Sequence, residues 1–201
     1  MRPVPLGAGR SVVRVARVRG AVLVEGESDR EAVLALADKR GLELADRGVE
    51  VVAMGGITNI ARYVAELAPS YRLVGLYDAA EERFVRAALE RAGLPARPDL
   101  AESGFHRCDR DLEEELIRAL GTERALAVVE AEHDLAHFRG LQQQPAQRTR
   151  RLEEQLHRFL GSGSGRKIRY GRVLVEALAD EEVPAPLASV LDDALRATIR
   201  P

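Results

Sequence analysis

The sequence predicts an α/β fold: a parallel sheet flanked by helices, followed by a mostly helical C-terminal half. Two observations carry that expectation. Through the first hundred residues, short β-branched runs that end in Gly or Asp alternate with amphipathic segments, the pattern of repeated strand-helix units. Beyond Asp111 the apolar spacing is helical throughout, with none of the short β-branched runs that mark strands.

The elements follow in chain order. Residues 1–20 hold Pro3, Pro5, Gly7 and Gly9 and then the Val/Arg alternation SVVRVARVR, expected as a basic arm or a lead-in strand. Residues 21–201 are expected as one domain with a helical extension. The run VLVEGESD, Val22 to Asp29, reads as a buried strand closed at Gly26, with Ser28 and Asp29 supplying capping chemistry for a helix that reaches Lys39. Val49 to Met54 is a second strand ended by Gly55 and Gly56, and Ile57 to Leu67 is its helix, stopped by Pro69. Leu73 to Tyr77 is a third strand ending in Asp78, followed by a helix over Glu81 to Arg91 and a Gly93 cap. Gly104 to Cys108 makes a fourth short strand. Helices over Leu112 to Leu120, Arg124 to Phe138, Arg148 to Leu160, Ile168 to Ala179 and Pro186 to Thr198 complete the chain, with GSGSG, Gly161 to Gly165, as a flexible turn.

Composition excludes several classes of function. No apolar run approaches the roughly 20 residues that span a bilayer, so no membrane partner is expected. The 201 residues carry 30 Lys and Arg against 32 Asp and Glu, so any hold on a polyanion must come from local patches rather than from the net field. Cys108 is the single cysteine and cannot form an internal disulfide, and the N-terminus lacks an apolar signal core; a reducing cytoplasm is the expected compartment. Trp is absent, which argues against an aromatic platform for bases.

The residues that carry chemistry are acids at strand ends. Glu25 and Asp29 lie in the first strand-to-helix turn and Asp78 ends the third strand, in GLYDAAEE. In an open α/β sheet these positions face the ligand crevice, and if strands one and three are neighbours the three carboxylates converge. Such a set of hard oxygens calls for one or two Mg²⁺ or Mn²⁺ ions, with coordination places left for phosphate oxygens. In CDRDLEEEL, Asp111 and Glu114 fit a capping box, Glu115 is expected to face solvent, and Glu113 is left as a candidate for a second ion. Arg166 and Lys167 follow the glycine turn at a helix start, a ready phosphate site. A nucleotide P-loop is excluded there, because a helix precedes the glycines and Ile168, not Ser or Thr, follows the lysine. Lys167 is therefore cast as a cation that neutralises a phosphodiester or protonates its leaving oxygen. Arg148, Arg150, Arg151 and Arg158, with Arg166, Arg169 and Arg172, concentrate positive charge in the C-terminal third and are candidates for a nucleic-acid backbone. His133 and His137 lie four apart on an expected helix, without a third metal ligand at a recognisable spacing.

With these residues in hand, the chain resembles the Toprim domain, and more closely the Toprim portion of the overcoming-lysogenization-defect (OLD) nucleases. VLVEGESD is similar to the Toprim glutamate motif, MGGITNI to its glycine-containing second strand turn, and GLYDAAEE to its Asp-x-Asp strand. The similarity spans roughly residues 20–195, and it extends to DLE at Asp111 to Glu113 and to the late lysine of GRKIRYGRVLVEALADEEVP. The resemblance implies a Toprim-like, Rossmann-like sheet and a metal-dependent endonuclease acting on DNA or RNA. It implies that Glu25, Asp29, Asp78 and Glu113 handle the metals, with Glu25 and Lys167 catalytic; from the charge pattern, Arg166, Lys167, Arg169 and Arg172 are expected on the nucleic acid. The second aspartate of Asp-x-Asp falls at Ala80, which cannot ligate; Glu81 or Glu82 is the expected substitute, and Asp111 a further metal candidate. A separate ATPase or helicase partner is expected to supply any ATP dependence. The other readings are a silent nucleic-acid-binding or regulatory Toprim module, which binds without product, and a primase-like enzyme, which would make primers from ribonucleotides.

Overall fold

β-Branched and small apolar residues that alternate in direction build the central strands, and the computed structural model, which describes residues 19–198, shows four of them. They are β1 (Arg19–Val24), β2 (Val49–Ala53), β3 (Tyr71–Asp78) and β4 (Phe105–Cys108). All pairings are parallel, in the order β2-β1-β3-β4, with Val22 opposite Val51 on one side and Val74 on the other. β1 and β3 are therefore neighbours, as the convergence of Glu25 and Asp78 requires. The period of two sends Val22, Val24, Val74 and Leu76 to one core and Ala21, Leu23, Leu73 and Tyr77 to the other. Gly75 is needed at the centre of the sheet: a Cβ there would lie 2.7 Å from the Leu23 carbonyl oxygen and 3.0 Å from the Phe105 ring.

The helices form two layers. On one face lie α2 (Ile60–Leu67), entered through a 3-10 turn at Ile57–Asn59, and α3 (Glu82–Arg91), entered through another at Ala79–Glu81. The other face is covered by α1 (Glu27–Lys39) and α8 (Ala185–Ala197), and α7 (Ser164–Ala177) packs against α1. Behind α7 pack α4 (Leu112–Ala131), α5 (Leu135–Gln142) and α6 (Leu152–Leu160), so the helical half extends the same core. Phe138, Phe159 and Tyr170 meet edge to face inside it.

Several boundaries differ from the sequence pattern: α6 starts at Leu152 rather than Arg148, and α7 starts at Ser164 rather than Ile168, so the end of the expected GSGSG turn is helical. The expected helix over Arg124 to Phe138 is broken: α4 runs on from Leu112 through a non-helical Gly121 (φ 72°, ψ 159°) to Ala131, and a new helix starts at Leu135. The break is held by Asp134, which is buried and accepts hydrogen bonds from the Tyr170 hydroxyl at 3.2 Å and from Arg169, while His133 takes a left-handed φ of 59°. His133 and His137 consequently do not share a helix face. The N-terminal arm lies outside the described residues except for Arg19 and Gly20, which belong to β1. Among the described residues no helix is long and apolar enough to cross a membrane.

Candidate metal and phosphate site

The carboxyl edge of the sheet gathers the acids. Glu25 directly follows β1, Asp78 ends β3, and Glu81 closes the 3-10 turn after it. One ligand oxygen from each lies within 4.8 Å of the other two. Glu81, one residue beyond Ala80, is the acid of the 3-10 turn after β3 that meets Glu25 and Asp78. Glu82 does not serve: it pairs with Arg86 at 2.7 Å.

Like charges at this spacing raise the cost of ionisation. Burial, then the charges of Glu81, Asp29, Asp111 and Glu25, push the Asp78 carboxyl up to about 8. Burial and Glu25 also raise Glu81, whose Oε2 is buried with no hydrogen-bond partner. An orphaned buried carboxylate oxygen beside two more carboxylates fits a hard divalent cation. Among the described residues this is the single set of three acids that closes to ligand distance.

Asp29 and Glu113 flank that cluster without joining it. Asp29 accepts a hydrogen bond from the Gly26 N–H at 3.0 Å, the capping role open to it from the sequence. Burial, then Glu113, push its carboxyl up to about 7 against the opposing pull of Gly26 and Lys167. Glu113 is 5% exposed, and its Oε1 lies 3.0 Å from Lys167 Nζ, an ion pair rather than a well-aligned hydrogen bond. Burial alone would lower Lys167, but the carboxylates of Glu113, Asp29 and Glu25 outweigh it and hold the ammonium above its ordinary range.

α7 brings Lys167 here by touching α1. At Gly171 an added Cβ would sit 2.3 Å from the Ser28 carbonyl oxygen, so only glycine allows this approach. The lysine lies one helical turn earlier, and Ser28 adjoins Asp29.

Other expected site residues fall elsewhere. Asp111 is spoken for: one oxygen caps α4 by accepting the Glu114 N–H at 2.8 Å, and the other lies 2.6 Å from His157 Nε2. Burial pushes its carboxyl up, but these hydrogen bonds outweigh it and the net is a lowered value; both oxygens are engaged by protein partners, and Asp111 is not in the three-acid set. Glu115 is buried, not solvent-facing; it accepts the Asp109 N–H at 3.0 Å and pairs with Arg118. Arg166 lies over the Phe159 ring at 4.3 Å and bonds the Ser162 carbonyl oxygen at 3.1 Å. Arg169 pairs with Glu132 at 3.2 Å and with Asp134. Arg172 binds Glu31 at 3.0 Å, Asp38 at 2.9 Å and Glu176 at 3.3 Å, tying α7 to α1. Arg169 and Arg172 are ion-paired within the protein and Arg166 stands 3.5 Å from Asp134, so all three are engaged by internal partners. Cys108 is buried, and its thiol is raised by burial and by Asp78, which keeps it protonated.

Positive charge also gathers around a cleft of about 590 Å³, where Arg110 stands 3.8 Å from Asp111 and Lys167 is paired with Glu113. Arg110, Arg150, Arg158 and Lys167 line it together with Asp111, Glu113 and His157. Arg150 and Arg158 are exposed, and no carboxylate pairs with either among the described residues. Arg110, before α4, carried no signal in the sequence beyond its neighbourhood of Asp111.

Fold and site together define a Toprim-like protein: a parallel sheet with a strand-end glutamate, an aspartate on the adjacent strand and a lysine from a late helix. The chain resembles the Toprim portion of the OLD proteins. Residues 18–69 match the family model for the overcoming-lysogenization-defect protein-like TOPRIM domain. The C-terminal region of the Burkholderia pseudomallei OLD protein superposes with a TM-score of 0.67 at 22% identity, covering 90% of this chain and 99% of that one. The C-terminal region of the Xanthomonas campestris pv. campestris OLD protein gives 0.64 at 26% identity, covering 90% and 96%. No curated protein matches the chain.

Proposed function

We propose that this chain is a divalent-metal-dependent nuclease that cleaves or nicks DNA. The observation that carries the reading is the meeting of Glu25, Asp78 and Glu81 within 4.8 Å, with an unpartnered buried oxygen on Glu81. A Mg²⁺ or Mn²⁺ ion held there supplies neutralisation of the phosphate and activation of the attacking water. Asp29 and Glu113 stand where they can help hold a second ion. Lys167, with ammonium protons not committed to Glu113, neutralises charge that develops on the phosphoryl oxygens. Arg110, Arg150 and Arg158 hold the polyanion along the cleft. The similarity to OLD proteins supports the same chemistry, and coupling to ATP would come from an ATPase or helicase outside the described residues.

Supercoiled plasmid incubated with Mg²⁺ or Mn²⁺ is expected to be nicked or linearised, with chelator abolishing the product. Glu25→Ala is expected to lose the activity while keeping the wild-type circular dichroism spectrum. A wild-type protein that binds DNA but gives no product with any divalent metal would overturn the reading in favour of a silent binding module.

A further inference from the structure

His157 lines the cleft, and none of the preceding chemistry uses it. Its Nε2 lies 2.6 Å from Asp111 Oδ2, and the Asp111 carboxylate is itself fixed by the Glu114 N–H. The imidazole therefore has a set orientation, with the ring held at one nitrogen by an anion. The other nitrogen, Nδ1, has no partner among the described residues and is not sealed from solvent. The side chain is 19% exposed and lines the same cleft as Lys167 and Glu113. Other charged groups facing the cleft are Arg110 from the α4 entry, Arg150 from the preceding loop, and Glu154 and Arg158 from α6 itself.

Lys167 is ion-paired with Glu113 at 3.0 Å and already serves to neutralise charge, which leaves the proton for the leaving oxygen to another group. A histidine oriented by a carboxylate is the side chain most often used for general-acid transfer.

We propose that His157, oriented by Asp111, is the general acid for the phosphodiester's leaving oxygen; this rests on the nuclease reading above. Water oxygen forms the new bond to phosphorus and its proton passes to solvent. The bond from phosphorus to the nucleoside oxygen breaks, and that oxygen keeps the electron pair and takes a proton from imidazolium Nδ1. The Nε2–H stays on Asp111 throughout, and solvent reprotonates the ring.

The test compares wild type, His157→Gln and Glu25→Gln on plasmid DNA and on thymidine 5′-(p-nitrophenyl phosphate), whose nitrophenolate leaves without a proton. His157→Gln is expected to lose about 10²–10⁴-fold on DNA, to stay within a few-fold of wild type on the nitrophenyl ester, and to lose the alkaline limb of the DNA pH-rate profile. Equal losses on both substrates, or no loss on DNA, would overturn the assignment, and thermal melting would show whether an equal loss reflects misfolding. Glu25→Gln is expected to fail on both substrates. Should wild type itself be inert on both, the nuclease reading falls first and the role of His157 with it.

Discussion

At the scale of single residues, the position of Glu81 decides whether an Ala80 site still holds a cation. Its buried, unpartnered oxygen has no structural employment, so Glu81→Gln is expected to weaken Mn²⁺ binding at least tenfold by titration calorimetry with little change in melting temperature. Glu82→Gln, whose carboxylate serves Arg86, is expected to leave the affinity within twofold. The acids also set a pH dependence. Asp29 and Asp78 keep their protons in the folded state up to about 7 and about 8, whereas unfolded they lose them near 3.8. Between those values the native state binds more protons than the unfolded one, so stability falls as pH rises. The contribution is fully present below about 3.8 and is lost as pH climbs through 7 and 8. Metal-free protein is expected to melt at a lower temperature at pH 8.5 than at pH 6, with saturating Mn²⁺ reversing the difference.

At the scale of elements, the contact between α1 and α7 fixes the cation against the acids. Gly171→Ala would force the Ser28 carbonyl and α7 apart. Overpacking of this kind costs about 1–3 kcal/mol, a fall in melting temperature on the order of 5 °C for a chain of this size. Because Lys167 rides on the same helix, the rate of plasmid nicking is expected to fall further than the stability loss explains, which nicking rates measured below the melting transition would show. The strand-helix units were legible in the sequence because buried parallel strands read as β-branched runs closed by Gly or Asp. The break between α4 and α5 was not. Its cause, the burial of Asp134 against Tyr170 and Arg169, is a contact between segments 35 and 36 residues apart. Gly121, by contrast, falls in the gap between the expected helices Leu112 to Leu120 and Arg124 to Phe138, and α4 kinks there through a positive φ.

At the scale of the whole molecule, surface charge sorts into pairs and free cations. The sequence showed a basic C-terminal third, but Arg172 finds its partners 134 and 141 residues away, so no local spacing separates a structural arginine from an available one. The distinction is measurable in salt. Arg150→Gln and Arg158→Gln are each expected to reduce the slope of log binding constant against log salt by about 1, as for one lost phosphate contact. Arg172→Gln is expected to leave that slope unchanged and to lower the melting temperature instead, which fluorescence titrations with labelled duplex across a salt series would separate.

The union of acids from the early strands with a lysine from the late helix α7 has a consequence for synthesis. A ribosome-bound chain that has released only β1 through α3 already displays Glu25, Asp78 and Glu81, yet lacks the cation and the arginine-lined groove. Under the nuclease reading, a growing polypeptide stays harmless to nearby nucleic acid until translation has passed α7, so the order of the genetic message itself works as a safety catch.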